Sequence, residues 1–263
     1  MRAGGWRKPT QEQVIRALLK AHPLKAIQLP SAASSSDNSE LCCSLDQGSL
    51  GSCQTNTVAQ TFFMEQTREG VFQPFIASRL AGYFWNRNRD GNADEDVGAT
   101  IGGSYEVFAD MGVPAESAWP YLIENFAVRP YPSVDRDAFD RKGTVGINYF
   151  PIHEFGDSLI STMEQVLSSG RGVSFGVAVS ESFCSTPPTG IIQPPTSKDV
   201  IAGGHALTVV GHNRAQGWGL VKNSWSDAWG EKGLPPGCCR MSYSYLAMAS
   251  DCWFCGLSTG GLR

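Results

Sequence analysis

Cys53 stands at a point in the sequence where a thiol can be made reactive. It follows a Gly-rich stretch at residues 46–52 and opens a run in which apolar residues such as Val58 and Phe62 recur at helical spacing, which predicts a helix over residues 53 to about 69. A cysteine at a helix N-terminus meets unpaired backbone N–H groups and the positive end of the helix dipole, and both stabilise a thiolate. Most cysteines are instead small buried thiols, so this turn alone leaves a nucleophile and a structural cysteine equally open.

A histidine and an asparagine occupy two later strand-like segments. His205 begins an apolar segment after two glycines, and Asn223 ends the next one. If the two strands are neighbours, the Asn223 amide oxygen reaches the His205 ring and fixes its tautomer and orientation, as nucleophilic catalysis by a thiol requires. Trp225 would shield that hydrogen bond from water, although a tryptophan or a histidine in such a segment is also consistent with an ordinary core position.

The rest of the sequence predicts the elements that position these residues. Helical patterns precede strand patterns along the chain: the former cover residues 10–22, 53–69 and 105–111, and the latter residues 173–179, 206–210 and 218–221. This order is typical of an α+β protein with two packed lobes. Residues 1–40 form a predicted N-terminal part, with a helix that starts at a Thr10–Gln13 capping box and a mobile Ser-rich linker at 31–40. Residues 41–263 form the predicted main domain.

Composition excludes several classes of protein. With 263 residues, 41% of them hydrophobic and 10% aromatic, the chain is not disordered. The net charge of −4 argues against a nucleic-acid partner, and no uncharged apolar run approaches the roughly 18 residues of a membrane-spanning helix. The N-terminus lacks the apolar region of a secretory signal, so we expect a reducing compartment, the cytoplasm. Organelle targeting, non-classical export and the oligomeric state stay open.

The other cysteines predict neither a metal site nor a cofactor. Cys252 and Cys255 form a C-x-x-C pair without the βαβ context of a redox motif, so buried thiols or a local disulfide are expected there. The adjacent pairs at 42–43 and 238–239 are poor chelators, because their side chains diverge.

Ordered motifs along the chain resemble the papain-like cysteine protease family. They are Gln47 six residues before Cys53, the segment GGHALTVVG around His205 and the segment KNSWSDAWG around Asn223. The histidine and asparagine follow the cysteine at roughly the separation that the family shows, about 130–150 residues. The block at 46–60 most resembles the bacterial and viral branch. The resemblance implies an α+β fold of two lobes, one helical and one an antiparallel β-barrel-like sheet, with an active-site cleft between them.

The resemblance also implies a role for each motif residue. Cys53 would attack the scissile carbonyl as a thiolate, and His205 would share an ion pair with it, protonate the leaving amine and then activate water. Asn223 would orient His205, while the Gln47 side chain and the Cys53 backbone N–H would form an oxyanion hole. The partner would be a protein or peptide substrate, paired along the Gly98 backbone as an added strand. The predicted substrate-binding residues are Gly98, Gly204, Ala206 and Trp225.

The chain departs from the secreted members of the family in two ways. Leu50 and Gln54 replace the first cysteine and the tryptophan of Cys-Gly-Ser-Cys-Trp, which leaves the disulfides of secreted relatives in doubt. Residues 1–40 are also short for a pro-segment, although the helix at 10–22 is expected to lie in the cleft and block it. Two alternatives to a peptidase remain: an acyl transferase or amidase using the same residues, and a catalytically silent binding module.

Overall fold

A computed structural model describes residues 4–185 and 188–258. The first three residues of the predicted N-terminal part and the last five of the predicted main domain therefore lie outside the described residues. The helices are α1 (Gln11–Lys20), α2 (Cys53–Arg68), α3 (Arg79–Arg89), α4 (Ile101–Met111), α5 (Pro132–Lys142), α6 (Gly156–Ser168), α7 (Glu181–Ser185) and α8 (Tyr243–Leu246). The strands are β1 (Ser35–Asp37), β2 (Gly146–Ile152), β3 (Val173–Ser180), β4 (Ile191–Ile192), β5 (Ile201–Asn213), β6 (Trp218–Lys222), β7 (Cys238–Ser242) and β8 (Ser250–Ser258).

The strands form one sheet in the order β2-β8-β3-β5-β6-β7-β4, with β1 added alongside β5. All pairs are antiparallel except β4 with β7. One hydrophobic core is centred on α2, α3 and α4, and a second lies between the sheet and α6. The α+β class is therefore confirmed, with a mostly helical lobe beside a mostly antiparallel sheet.

Helix α2 is the element that joins the two lobes. Its buried hydroxyl groups bond to the sheet: Thr57 Oγ1 lies 3.1 Å from Ser174 Oγ on β3 and 2.5 Å from Thr208 Oγ1 on β5. Tyr105 of α4 reaches the same group, 3.0 Å from Ser174 Oγ. Because buried hydroxyl groups cost free energy unless they are paired, these bonds fix how the start of α2 sits against β5.

Two predictions about the N-terminal part are wrong in detail. The capping box at Thr10 and Gln13 is present, but α1 packs on α4 rather than in a cleft. The Ser-rich residues are ordered as well: Ser35–Asp37 pair with the end of β5, where Asp37 lies opposite Gly211. A short polar segment can be ordered in this way because the edge of a neighbouring strand satisfies its backbone groups.

Helix α4 starts four residues before the predicted segment at 105–111. Thr100 caps it by accepting a hydrogen bond from Gly103 N, 3.1 Å away. Glycines in a helix are usually unfavourable, but a Cβ on Gly102 would lie 2.7 Å from Trp253 Cζ2. Gly102 is thus required by the close packing of α4 against β8, which the local pattern does not reveal.

Arg79, at the start of α3, holds the loop that precedes Cys53. Its guanidinium forms two bonds to the Glu116 carboxylate, at 2.7 and 2.6 Å, and also donates to Asp46 O and Asn56 Oδ1, both at 2.9 Å. It lies over the Tyr121 ring, 3.9 Å from the centroid. A planar fork of donors makes all these contacts at once, whereas a lysine ammonium cannot.

We expect Arg79→Lys to lower the free energy of unfolding by about 2 kcal/mol, because buried acceptors lose their donors while the charge is kept. Urea denaturation measures the change. Arg129→Lys is the matched control: its side chain is 73% exposed and pairs with Asp135, so a change of no more than about 0.5 kcal/mol is expected. Equal effects of the two substitutions would contradict the role given to Arg79.

Candidate active site

Cys53 is the first residue of α2 and is fully buried. Its sulfur accepts a hydrogen bond from the backbone N–H of Ala206 on β5, 3.4 Å away. Backbone N–H groups of Gln54, Trp6 and Cys53 itself also face the sulfur. Helix α2 therefore presents its N-terminal thiol directly to the residue that follows His205 in β5.

His205 and Asn223 are brought together by the pairing of β5 with β6, as the sequence predicts. The strands are antiparallel neighbours, with Thr208 opposite Lys222, and His205 Nε2 lies 2.9 Å from Asn223 Oδ1. The same oxygen accepts a bond from Ser224 N at 2.8 Å, which fixes the orientation of the amide. Since Nε2 is engaged with Asn223, Nδ1 is the nitrogen left for chemistry.

Trp225 covers the His205 ring. The two rings stack with centroids 4.6 Å apart, and Trp229 and Phe183 pack around Trp225 at 5.5 and 5.7 Å. His205 is fully buried beneath this aromatic cluster. Trp225, predicted to bind substrate, thus lies where it shields the His205–Asn223 bond.

The thiol and the imidazole are both neutral in this state. Burial raises the pKa of Cys53 to about 12. Burial also lowers the pKa of His205 to about 4, against the Asn223 hydrogen bond that raises it. Among the described residues, His205 Nδ1 has no hydrogen-bond partner. Removal of both groups from water disfavours their charged forms, so the predicted ion pair is not formed here.

Gln47 is buried beside the turn that leads into α2. Its backbone N–H bonds to Ser224 O at 2.9 Å, and its side-chain oxygen accepts from Ser224 Oγ at 2.7 Å. Its amide nitrogen donates to Leu50 O at 2.9 Å, three residues before Cys53. The loop carrying Gln47 is thus tied to the segment that follows Asn223.

Residues 4–7 run as an extended segment through the cleft beside Cys53. Gly4 N bonds to Gly204 O on one side, and on the other Ala99 N bonds to Gly5 O while Arg7 N bonds to Ala99 O, each at 2.9 Å. A Cβ added to Gly5 would lie 2.9 Å from the Cys53 sulfur. These residues, and not helix α1, cover the thiol.

Three of the predicted substrate-binding residues, Gly98, Gly204 and Ala206, contact or pack near residues 4–7, each in a different way. Gly204 bonds to this segment directly, and Ala206 packs in the same cluster as Trp6 and Cys53. The strand-like pairing expected of Gly98 is made by Ala99 instead. Gly98 has a φ of +74°, and a Cβ there would lie 2.1 Å from Gly5 O, so its part is to permit the close approach of the two backbones.

Sequence reasoning missed the residues that fill the cleft. Trp6 is 8% exposed and packs with Cys53, and the available signal was a large apolar residue preceded by Gly4 and Gly5. Asp96 was missed as well: it accepts a bond from Gly51 N at 3.0 Å and from the Tyr83 hydroxyl at 2.6 Å. Asp96 therefore steadies the turn just before the thiol.

No group of three or more His, Cys, Asp or Glu side chains is placed to hold a metal ion within residues 4–185 and 188–258. In the same ranges no helix has the length and apolar character needed to cross a membrane. All eight cysteines are free, including Cys252 and Cys255 on β8.

The sequence of the chain is similar to those of several known proteins. The sequence model of papain family cysteine proteases matches residues 92–244, which include His205 and Asn223. An uncharacterized peptidase C1-like protein of Acanthamoeba polyphaga mimivirus is 33% identical over 238 residues, which cover 87% of this chain and 71% of the viral protein. A cathepsin L-like proteinase of Fasciola hepatica is 25% identical over 194 residues, 72% of this chain and 54% of that protein.

A solved structure carries the same fold. Xylellain, a cysteine protease from Xylella fastidiosa, matches with a TM-score of 0.74 at 24% identity, over 96% of this chain and 91% of xylellain. The papain-like fold is thereby confirmed, and the viral relative agrees with the predicted bacterial and viral branch. The chain belongs to the papain family of cysteine proteases, and it is a cysteine peptidase.

Proposed function

We propose that this peptidase hydrolyses peptide bonds through Cys53, His205 and Asn223 by way of a thioester. The observation that carries the proposal is the meeting of two elements: α2 presents the Cys53 thiol at its N-terminus, 3.4 Å from the amide of Ala206, and the preceding residue is a histidine held by Asn223. A thiol, a base and an orienting group in this order are what nucleophilic catalysis needs.

The reaction would run in two steps. His205 takes the thiol proton at Nδ1, because Nε2 is held by Asn223, and the thiolate attacks the substrate carbonyl carbon. The negative oxygen would be stabilised by the Cys53 backbone N–H and the Gln47 side-chain amide. The imidazolium then protonates the leaving amine. In the second step the neutral imidazole removes a proton from water, the hydroxide attacks the thioester, and the thiol is released with the acid product.

We propose further that residues 4–7 keep the enzyme in a latent form. They cover Cys53, and the burial of the site leaves both the thiol and the imidazole neutral. Departure of the segment would admit water and substrate, and restored solvation would favour the thiolate and the imidazolium. Latency in this form combines a steric block with an electrostatic one.

Ion pairs hold the segment and α1 on the helical lobe. Arg7 and Arg16 pair with Asp90 at 3.5 and 3.1 Å, and Arg16 also pairs with the buried Glu106 at 2.9 Å. Lys20 pairs with Glu106 at 3.3 Å. The basic side chains are 29–46% exposed, so each pair is weakened by salt. Such ion pairs can hold residues 4–7 and α1 on the helical lobe and still allow them to dissociate.

We expect Cys53→Ser to abolish peptide hydrolysis, lowering kcat/KM by at least about 1,000-fold, because a serine in this position is a far weaker nucleophile. The measurement is turnover of a fluorogenic peptide mixture, with circular dichroism as a check on folding. Cys43→Ser is the matched control, since this thiol lies outside the Cys53–His205–Asn223 group, and it should retain activity.

Full activity in Cys53→Ser would exclude covalent thiol catalysis. Transfer of the acyl group to an added amine in preference to water would favour the acyl transferase alternative instead. Stable binding of peptides by a folded wild-type protein that cleaves none of them would favour the silent binding module.

We expect Trp6→Ala in the full chain to speed labelling of Cys53 by iodoacetamide by about 100-fold at pH 7. Loss of a large buried aromatic side chain costs about 3 kcal/mol or more, which shifts the segment toward its open state. Mass mapping of the labelled cysteine gives the rate. Trp218→Ala, a partly exposed tryptophan on β6, is the matched control and should leave the rate unchanged. An unchanged rate in Trp6→Ala would contradict the latency proposal.

We expect kcat/KM of the Trp6→Ala enzyme to follow a bell-shaped pH profile. Its acid limb reports ionisation of the thiol and its alkaline limb loss of the imidazolium proton. The covered enzyme should differ: with the thiol pKa near 12 and the imidazole pKa near 4, its labelling rate should rise only as the pH climbs toward 12. Turnover of the fluorogenic peptides gives kcat/KM of the Trp6→Ala enzyme, and stopped-flow labelling of both proteins across roughly pH 4–10 compares the two forms directly. Identical profiles would mean that the segment leaves the two pKa values unaffected.

A further inference from the structure

The indole of Trp6 fills a flat slot between two strands of the sheet. A Cβ added to Gly176 on β3 would lie 2.2 Å from the ring atom Cε2 of Trp6, and one added to Gly204 on β5 would lie 2.7 Å from its Cε3. Any other residue at either position would thus collide with the ring. The two glycines make the floor of a slot wide enough for an indole.

The far end of the slot carries a carboxylate. Asp251 Oδ2 accepts a hydrogen bond from the indole Nε1 of Trp6 at 3.0 Å. Asp251 lies on β8 with a φ of +52°, next to an irregularity in the pairing of β3 with β8. A non-glycine residue in the left-handed region is uncommon, and here it turns the carboxylate toward the slot.

Asp251 also holds the structure around the slot. Its oxygens accept bonds from Ile101 N at 2.7 Å and Gly102 N at 3.2 Å, at the start of α4, and from Trp253 Nε1 at 2.7 Å. Desolvation raises the pKa of this carboxylate, while the hydrogen bonds from Trp253 and Trp6 lower it. Each N–H donor therefore helps to keep it ionised, and only the donor from Trp6 leaves with the segment.

We propose that Asp251 is the specificity-determining residue of this peptidase, and that it selects peptides whose side chain in this slot is tryptophan. The proposal rests on the proposed function, since it assumes that substrates follow the path of residues 4–7. When Trp6 departs, the carboxylate faces an empty slot with one donor missing. A tryptophan of the substrate restores the flat packing and the N–H donor together.

Phenylalanine and leucine can fill the slot but supply no donor. Their binding would leave the Asp251 carboxylate with three of its four N–H donors, and a site built to accept an N–H discriminates against side chains that lack one. The slot floor of bare backbone also favours a flat ring over a branched side chain. The structure thus joins a shape requirement, made by Gly176 and Gly204, to a chemical one, made by Asp251.

The first test measures specificity in the full chain carrying Trp6→Ala, in which the slot is empty. A positional-scanning peptide library should reveal one position where tryptophan is cleaved at least about tenfold better than phenylalanine, leucine or arginine. Adding Asp251→Asn should bring the tryptophan-to-phenylalanine ratio close to one. Because this ratio is measured within one enzyme sample, partial unfolding of a variant does not alter it.

The second test needs no turnover. In the full chain, Trp6→Phe keeps an aromatic ring but removes the N–H donor together with the five-membered ring of the indole, so Cys53 should be labelled at least about tenfold faster than in the native chain. In an Asp251→Asn background, the same Trp6→Phe change should have a clearly smaller effect on the rate, because only the loss of packing remains. This double-mutant cycle isolates the contact between the two side chains.

The outcomes separate this inference from the proposed function. Cleavage of peptides with no preference for tryptophan, or with arginine or phenylalanine preferred, overturns the role of Asp251 and leaves the peptidase mechanism standing. Failure to cleave any peptide counts against the proposed mechanism, and the labelling cycle then decides the role of Asp251 by itself: equal effects of Trp6→Phe in both backgrounds overturn it.

Discussion

The contact between the start of α2 and strand β5 is the constraint on which the site depends. The hydroxyl group of Thr57 bonds across the lobe boundary to β3 and β5, one helical turn beyond Cys53. These bonds are buried, so a shift of either element would leave polar groups unpaired. The sulfur of Cys53 is thereby held against the backbone of β5, at the residue after His205. Distant parts of the chain become one site because buried hydrogen bonds hold this boundary in place.

Burial decides whether the thiol and the imidazole of the site are neutral or charged. In the proposed latent form, desolvation beneath residues 4–7 favours the protonated thiol and the neutral imidazole. The groups that would activate this pair, the N-terminal dipole of α2 and the amide of Asn223, are already in position. In this proposal, access of water is therefore what separates the latent from the active form.

Glycines on both sides of the cleft allow residues 4–7 to fit into it. Gly5 and Gly98 let two backbones approach closely beside Cys53, and Gly176 and Gly204 open the slot for the Trp6 ring. The segment thus fills space that depends on missing side chains on both sides of the cleft. Its hold is supplemented by partly exposed ion pairs between α1 and the helical lobe, which are weaker than the packing of the indole.

Local patterns were enough to predict helix α2, strands β3, β5 and β6, the α+β class and the candidate residues Cys53, His205 and Asn223. These follow from hydrophobic periodicity and from the resemblance of short motifs, and both signals depend on residues that are close together in the sequence. The path of residues 4–7, the pairing of Ser35–Asp37 with β5 and the aim of Asp251 toward Trp6 are different. Each joins segments far apart in the chain, and its free energy comes from backbone groups and cavities that exist only after the sheet and helices have packed. For that reason the folded chain, and not its sequence pattern, decides that the thiol is covered and which side chain lies beside it.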